Sequence, residues 1–206
     1  MLLNDTFKTI AKKNEALYKD KGSRFIALAF SVKDEEEAKK LLEDIKKQYY
    51  DACHHCYAWA IGPTRESQRM NDDGEPKGTA GKPIFGQILS FNLTNVLIVV
   101  VRYFGGIKLG VSGLIKAYKT ASRLALENAN IQSVTIHDYY KVEFEYLYMN
   151  DVMRLLKEES IIPEEFLHTN CCQVVIAIRK NNTDLVIQRL KLIKTIDIRY
   201  LRSLYN

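Results

Sequence analysis

Two glycine-rich segments carry most of the residues in this sequence that could do chemistry. They are residues 72–83 and 102–113, and an apolar run at 95–102 lies between them. A helix is predicted after each segment, and the first turn of a helix offers free amides and the positive end of the helix dipole. Glycines also let the backbone approach a ligand closely. The two segments therefore predict a cradle for a phosphate or another anion.

Basic, hydroxyl and aromatic side chains in these segments would add to the cradle. Arg102 is the central cation of this prediction, flanked by Lys82 and Lys108. Aromatic residues beside basic loops can stack on nucleic-acid bases, or they can fill the core. The predicted anion- or nucleic-acid-binding residues are Lys77, Gly78, Thr79, Gly81, Lys82, Arg102, Tyr103, Gly105, Gly106, Lys108, Gly110 and Gly113.

The known nucleotide-binding motifs do not match these segments. Gly105 and Gly110 have the spacing of a Walker A loop, but Val111-Ser112 stands where Lys-Ser or Lys-Thr is required. A G-x-G-x-x-G fingerprint is absent from the sequence. Glycines at loop-to-helix junctions also serve simply as turn residues. Both interpretations, anion binding and turn structure, remain open at this point.

A second group of residues suggests acid–base chemistry. The candidates are His54 and His55, together with Asp73 and Glu75 in the first glycine-rich segment. The run Cys53-His54-His55-Cys56 lies on a predicted strand, where successive side chains point to opposite faces, so its members cannot converge on one zinc ion. Acidic loop residues are also common solvated turn-formers. The sequence therefore predicts no metal site and no cofactor, and it leaves the catalytic role open.

Elements that position these residues are predicted from hydrophobic periodicity. Asp34 and Glu37 have the spacing of a capping box, and Ser112 is expected to cap a second helix. The run at 95–102 is apolar on both faces, which is typical of a central strand in a covered sheet. The predicted strands are 23–32, 53–61 and 95–102; the predicted helices are 34–49, 84–91 and 112–125; residues 62–83 are expected to form a long loop.

Residues 136–206 show a different pattern and are predicted to form a second domain after a first domain at 1–135. Their predicted order is βαββαβ, with a helix capped by Asn150 after the first strand. This order suggests a ferredoxin-like α/β sandwich. Residues 137–206 contain ten basic and ten acidic side chains, so the first domain carries the whole net charge of +5. We predict an α+β protein with two α/β sandwich domains.

Composition excludes several classes of protein. The 206 residues include 10 Gly and 4 Pro, which rules out collagen-like and low-complexity chains. The longest aliphatic run is far shorter than a membrane-spanning helix, and the first residues lack the features of a signal peptide. Four cysteines, two of them adjacent, do not form a secreted disulfide pattern. We therefore expect a cytoplasmic protein with reduced thiols and no membrane association.

Three sequence blocks, in the same order and register, resemble the YigZ/IMPACT family. They are His54-His55-Cys56-Tyr57-Ala58-Trp59, the segment from Asp72 to Pro83, and the segment from Val99 to Tyr118. The resemblance covers roughly residues 1–130 by motif. Residues 136–206 resemble the two-domain bacterial YigZ branch by layout alone.

The resemblance implies a fold and a biological setting. The N-terminal domain should be similar to the second domain of the ribosomal protein five superfamily, and the C-terminal domain to the last, ferredoxin-like domain of elongation factor G. Both similarities point to RNA and ribosomes by analogy. Eukaryotic members regulate translation through a protein partner, which they recruit with an additional N-terminal domain. This chain begins almost directly at the shared domain, so that contact is not carried over.

Three hypotheses about function follow. The first is a translation-linked regulatory protein that binds RNA or the ribosome through its basic glycine-rich loops. The second is a hydrolase-like enzyme that acts on a phosphorylated or carboxylated small molecule and uses the His54/His55 strand, the Asp72–Glu75 loop and Arg102. The third is a protein-interaction module that regulates a translation factor. We rank them in this order.

Overall fold

The computed structural model describes residues 5–168 and 171–205. Its contacts divide the chain into two compact units, and the division lies between Ser133 and Val134. The described residues before Phe7, which the sequence analysis placed in the first domain, group with the second unit. Within the described residues, the structure contains two five-stranded sheets and five α-helices. The predicted α+β class is thus confirmed.

The first unit is built on an antiparallel sheet of five strands. They are β2 (Asn14–Asp20), β3 (Ser23–Ser31), β4 (His54–Ile61), β5 (Ser67–Asn71) and β6 (Val96–Tyr103). Their order in the sheet is β2-β3-β6-β4-β5. The central strand, β6, has a continuous apolar run in which Val96 to Val101 are all fully buried. Alternate residues of this run belong to two separate cores, one on each face of the sheet.

Helices cover both faces of this sheet. On one face lies α1 (Glu35–Gln48), which buries Ala38, Leu42 and Ile45. Its N-terminus is capped as predicted, because the Glu37 amide donates to Asp34 Oδ1 over 2.8 Å. The other face carries α2 (Gly81–Ser90) and α3 (Gly110–Glu127). This second layer also holds the candidate site.

Three features of this unit differ from the sequence prediction. The predicted loop at 62–83 contains strand β5, in which three of the five residues are exposed at the sheet edge, so the strand shows no apolar period. Helix α3 begins at Gly110, so Ser112 lies inside its first turn and does not cap it. Helix α2 begins at Gly81, three residues before the predicted start.

The second unit has the predicted βαββαβ order. Its elements are β7 (Ile131–Phe144), α4 (Met149–Glu158), β8 (Pro163–His168), β9 (Cys172–Arg179), α5 (Thr183–Leu190) and β10 (Asp197–Tyr205). The strands pair antiparallel in the order β10-β7-β9-β8, which is the ferredoxin-like arrangement. Helices α4 and α5 bury Val152, Leu156 and Val186 against one face of the sheet.

Three smaller points complete the fold. Strand β1 (Thr6–Ile10) is the first described element, and short 3₁₀ turns precede α4 and α5. Helix α4 begins at Met149, so the predicted cap, Asn150, lies within the helix. Among the described residues, none of the helices combines the length and the apolar character needed to cross a membrane.

A glycine in the second glycine-rich segment is required by packing. A Cβ on Gly105 would lie 1.9 Å from the carbonyl carbon of Gly22 and 2.2 Å from the amide nitrogen of Ser23. Because both are backbone atoms, they cannot move aside as a flexible side chain would. We predict that Gly105→Ala lowers the free energy of unfolding by about 1–3 kcal/mol or more, measured by urea denaturation.

Gly86→Ala is the matched control for this substitution. Gly86 lies in α2, where a new Cβ meets nothing within 4 Å. The control should raise the free energy of unfolding by about 0.5–1 kcal/mol through its higher helix propensity. Equal stability of Gly105→Ala and the wild type would show that the close approach to Gly22 is not a constraint.

Candidate functional site

A cleft of about 560 Å³ opens in the first unit where β4 begins, β6 ends and α3 starts. Antiparallel pairing places His54 directly opposite Arg102, so the two side chains enter the cleft from neighbouring strands. The following loop adds an aromatic ring and a cation, and α3 adds its first turn. The lining includes His54, Glu75, Arg102, Phe104, Lys108 and Val111.

The floor of the cleft is a buried ion pair. Arg102 Nη1 lies 2.5 Å from Glu75 Oε1, and the two side chains are 7% and 4% exposed. The hydroxyl of Tyr118, on the inner face of α3, donates to the same carboxylate oxygen over 2.7 Å. A buried charge is tolerated only when it is paired and hydrogen-bonded. This contact therefore joins the first glycine-rich segment, β6 and α3.

Two neutral groups extend the network below the ion pair. Burial raises the pKa of the Tyr118 hydroxyl and of the Cys56 thiol far above their ordinary values. Cys56 Sγ lies 3.3 Å from the Tyr118 hydroxyl and 2.9 Å from the carbonyl oxygen of Asp72. Both groups stay protonated, so Cys56 is a packing residue and not a reactive thiol.

His54 stands at the wall of the cleft with a defined ring orientation. Its Nδ1 lies 2.8 Å from the carbonyl oxygen of Asp73, which can only accept a hydrogen bond. This assigns a proton to Nδ1. Nε2 then faces Glu75 Oε1 at 3.9 Å, and the side chain is 25% exposed. In the neutral ring, Nε2 is an unprotonated nitrogen that could accept a proton from a ligand.

The other two acid–base candidates lie elsewhere. His55 is 8% exposed, and its Nε2 lies 3.0 Å from the carbonyl oxygen of Tyr49. Asp73 accepts the His55 amide over 2.7 Å and lies 3.6 Å from Lys46 Nζ. These contacts tie β4 to the loop after β5 and to α1. The structure thus places His54 and Glu75 in the cleft lining, whereas His55 and Asp73 contact each other outside it. The catalytic roles of all four residues stay predictions.

The first glycine-rich segment is folded around an internal carboxylate. Asp72 accepts hydrogen bonds from the amides of Gly78, Ala80 and Gly81, over 2.8, 3.0 and 2.8 Å. Burial alone would raise the pKa of Asp72, but these three amides outweigh it and lower that pKa. The carboxylate thus caps the N-terminus of α2, although Asp72 precedes Gly81 by nine residues in the chain. The amides of Gly78 and Gly81 already donate to this carboxylate.

The second glycine-rich segment is arranged differently. The residue before α3 is Leu109, which has no side-chain group to cap the helix, and the first turn contains no acidic residue. Lys108, Gly110 and Val111 all line the cleft at this uncapped end. Arg102 Nε is buried nearby and lacks a hydrogen-bond partner among the described residues. This end of the cleft therefore has the unmet donors that an anion would satisfy.

The remaining predicted residues have other contacts. Thr79 is buried and donates to the carbonyl oxygen of Pro76, and Tyr103 donates to Asp51 on the opposite face of the sheet. Lys77, Lys82 and Gly106 are exposed. The predicted binding role of these residues, and of Gly105 and Gly113, stays a prediction.

Sequence reasoning missed one member of the site. Tyr118 lies on the apolar inner side of α3 and is fully buried there, and its hydroxyl also donates a hydrogen bond to Glu75. A tyrosine among alanines on an apolar stripe was the available signal, since a buried hydroxyl needs a partner. Within the described part of the chain, no group of three or more His, Cys, Asp or Glu side chains is placed to hold a metal ion.

The buried ion pair generates a stability prediction. Arg102→Met removes the cation and leaves the Glu75 carboxylate buried without its charge partner, which should lower the free energy of unfolding by about 3–5 kcal/mol. The double variant Arg102→Met/Glu75→Gln removes both charges, so it should be more stable than Arg102→Met alone. Urea denaturation of the two single variants and the double variant measures this coupling.

An exposed ion pair is the control for this cycle. Lys39 and Glu35 lie 3.2 Å apart on α1, and both side chains are about half exposed. Lys39→Met should change the free energy of unfolding by no more than about 1 kcal/mol. If Arg102→Met costs no more than Lys39→Met, the cleft does not depend on the buried pair.

Comparisons with known proteins place this site in a family. A model described as "Impact N-terminal domain" matches residues 21–126, which include the whole cleft. The IMPACT family member YigZ of Escherichia coli is 40% identical over 138 residues, covering 66% of this chain and 68% of that protein. The Protein IMPACT homolog of Saccharomyces cerevisiae is 34% identical over 119 residues, covering 55% of this chain and 45% of that protein.

A solved structure extends the similarity to nearly the full chain. A crystal structure described as that of a hypothetical protein aligns with a TM-score of 0.70 and 28% identity, covering 97% of this chain and 99% of the other. The family model covers the residues that build the cleft and about half of the chain. This chain therefore belongs to the IMPACT family.

Proposed function

We propose that the cleft binds single-stranded RNA, free or exposed on the ribosome, as part of a translation-linked regulatory role. One phosphate would sit at the N-terminus of α3 between Lys108 and Arg102. One base would lie on the exposed face of Phe104. The link to translation is the expectation that the family resemblance carries, and the chain belongs to that family.

The observation that carries this proposal is the combination of an uncapped helix end and an exposed aromatic ring in one cleft. Phe104 is 48% exposed, and the Arg102 guanidinium lies 5.6 Å from its ring centroid. Phosphate oxygens are bound well by helix N-termini and by basic side chains. Bases stack on aromatic rings with little regard to sequence. A nucleotide presents both groups to the same site.

The apolar wall favours a nucleotide over a bare anion. Leu109, Val111 and Leu114 line the cleft next to the cations. A small inorganic anion would leave this apolar surface exposed to water, whereas the face of a base would cover it. The cleft volume of about 560 Å³ also lies within the range of ordinary ligand sites.

Binding of a fluorescent oligouridine of twelve nucleotides tests the proposal. Phe104→Ala should weaken binding by about fivefold to a hundredfold, which corresponds to about 1–3 kcal/mol for one stacked base. Lys108→Ala should reduce the salt slope of log Kd by about 0.7, the value for one phosphate on a single strand. Both side chains are exposed, so the melting temperature should not change.

Tyr50→Ala is the control, because Tyr50 is an aromatic residue that is 84% exposed and follows α1. It should bind the oligonucleotide as the wild type does. Absence of binding at low salt, or equal binding by Phe104→Ala and Tyr50→Ala, would overturn the proposal. Co-sedimentation with ribosomes, with a nuclease arm, then tells RNA contacts from protein contacts.

A second candidate function rests on His54 alone. The Nδ1 contact with the Asp73 carbonyl oxygen orients the His54 ring, and the side chain lines the cleft beside Arg102, an arrangement that suits a general base in a hydrolase. A substrate with a phosphate or carboxylate could be held at the α3 N-terminus while His54 activates a water molecule.

A panel of phosphomonoesters and carboxylate esters tests this candidate. If it is correct, one substrate class is turned over, and His54→Gln lowers kcat by about 10²–10⁴-fold while RNA binding persists. Turnover that is unchanged in His54→Gln, or no turnover of any substrate in the panel, rejects the hydrolase.

A further inference from the structure

A stripe of basic side chains runs along the exposed face of α3, away from the cleft. Residues 76–126 contain seven basic residues and no acidic residue. Three of the seven, Lys116, Lys119 and Arg123, are exposed on α3, and the Gly110 end of this helix lines the cleft. The charge of the cleft therefore continues along one helix.

The helical period aligns these three cations. Their spacings of three and four residues place them on one side of the helix. Successive steps along the axis are about 4.5 Å and 6 Å, from a rise of about 1.5 Å per residue. The opposite side of α3 is fixed in the core, since Ala117, Tyr118 and Ala121 are fully buried. The stripe is thus a rigid row of positive charges.

The cations are available to an external partner. Lys116 and Lys119 form no ion pair with any residue that the structure describes. Arg123 Nε lies 3.5 Å from Glu127 Oε1, and this pair is about half exposed, so it is weak. A row of two unpaired cations and one weakly paired cation on a folded helix attracts a line of negative charges.

An apolar strip lies beside the stripe. Ile107, Val111 and Ile115 are 57%, 58% and 38% exposed, and Val111 also lines the cleft. Along the chain the strip (residues 107–115) precedes the cations (residues 116–123), so it lies toward the cleft end of α3. A strand that leaves the cleft would place bases against the strip first and phosphates on the cations next, and a nucleic-acid strand has both groups at every residue.

We infer that α3 is a track for the RNA backbone, so that the binding site extends from the cleft to Arg123. This inference rests on the proposed function. It adds that phosphates beyond the first one are bound by Lys116, Lys119 and Arg123. A strand longer than the cleft should therefore bind more tightly than one that only fills it.

The test compares two lengths of oligouridine, four and twelve nucleotides, against Lys116→Ala/Lys119→Ala. The wild type should bind the dodecamer at least tenfold more tightly than the tetramer. The variant should lose two phosphate contacts with the dodecamer, so its salt slope should fall by about 1.4. At 0.1 M salt this corresponds to a loss of roughly ten- to thirtyfold in affinity. Tetramer binding should not change.

Lys40→Ala/Lys47→Ala is the matched control. Both lysines are exposed on α1, which packs on the opposite face of the same sheet. This control removes the same net charge and should leave both affinities close to those of the wild type. Dodecamer binding that falls equally in the two double variants would reflect net charge alone and would overturn the track.

The outcomes separate this inference from the proposed function. If the tetramer and the dodecamer bind equally tightly and Phe104→Ala still weakens binding, the inference of an α3 track is rejected and the proposed cleft site is retained. Loss of dodecamer affinity in Lys116→Ala/Lys119→Ala but not in the control, with unchanged tetramer affinity, supports the track. If neither oligonucleotide binds at low salt, the cleft and the track fail together.

Discussion

The buried contact between Glu75 and Arg102 is the interaction on which the candidate site depends. It connects a loop residue to the end of the central strand, and Tyr118 connects the same carboxylate to α3. Each charge is buried, so each needs the other to remain in place. These three segments form the walls of the cleft, so the shape of the cleft depends on the Glu75 carboxylate and on its two donors, Arg102 and Tyr118. The buried Nε of Arg102 remains without a partner in this network.

The two glycine-rich segments also differ in whether a carboxylate of the chain caps the helix that follows them. In the first, three backbone amides are used by Asp72, so the positive end of α2 already faces a negative charge from the chain itself. In the second, the end of α3 has no such carboxylate, and a lysine and an arginine lie close by. The two glycine-rich segments therefore have different chemistry. The first is ordered by its own carboxylate, and the second leaves the start of α3 without a carboxylate from the chain.

The distribution of charge agrees with this difference. The excess of basic residues belongs to the first unit, and its acid-free stretch 76–126 contributes Arg102 and Lys108 of the cleft and the exposed cations of α3. Residues 137–206 are electrically balanced and form a ferredoxin-like sheet with its helices on one face. An RNA ligand would thus be attracted first to α3, and the aromatic ring at its end would add contacts to bases.

The sequence by itself determined the features that depend on neighbouring residues. The two-faced apolar run of β6, the Asp34 cap and the βαββαβ order all follow from local periodicity and short-range hydrogen bonds. Only the tertiary structure decided that His54 enters the cleft while His55 is buried near α1, and that Asp72 caps a helix nine residues away. The pairs Glu75–Arg102 and Glu75–Tyr118 are separated by 27 and 43 residues along the chain. Such contacts arise when strands and helices pack, because burial then forces each charged or polar group to find a partner that no local pattern specifies.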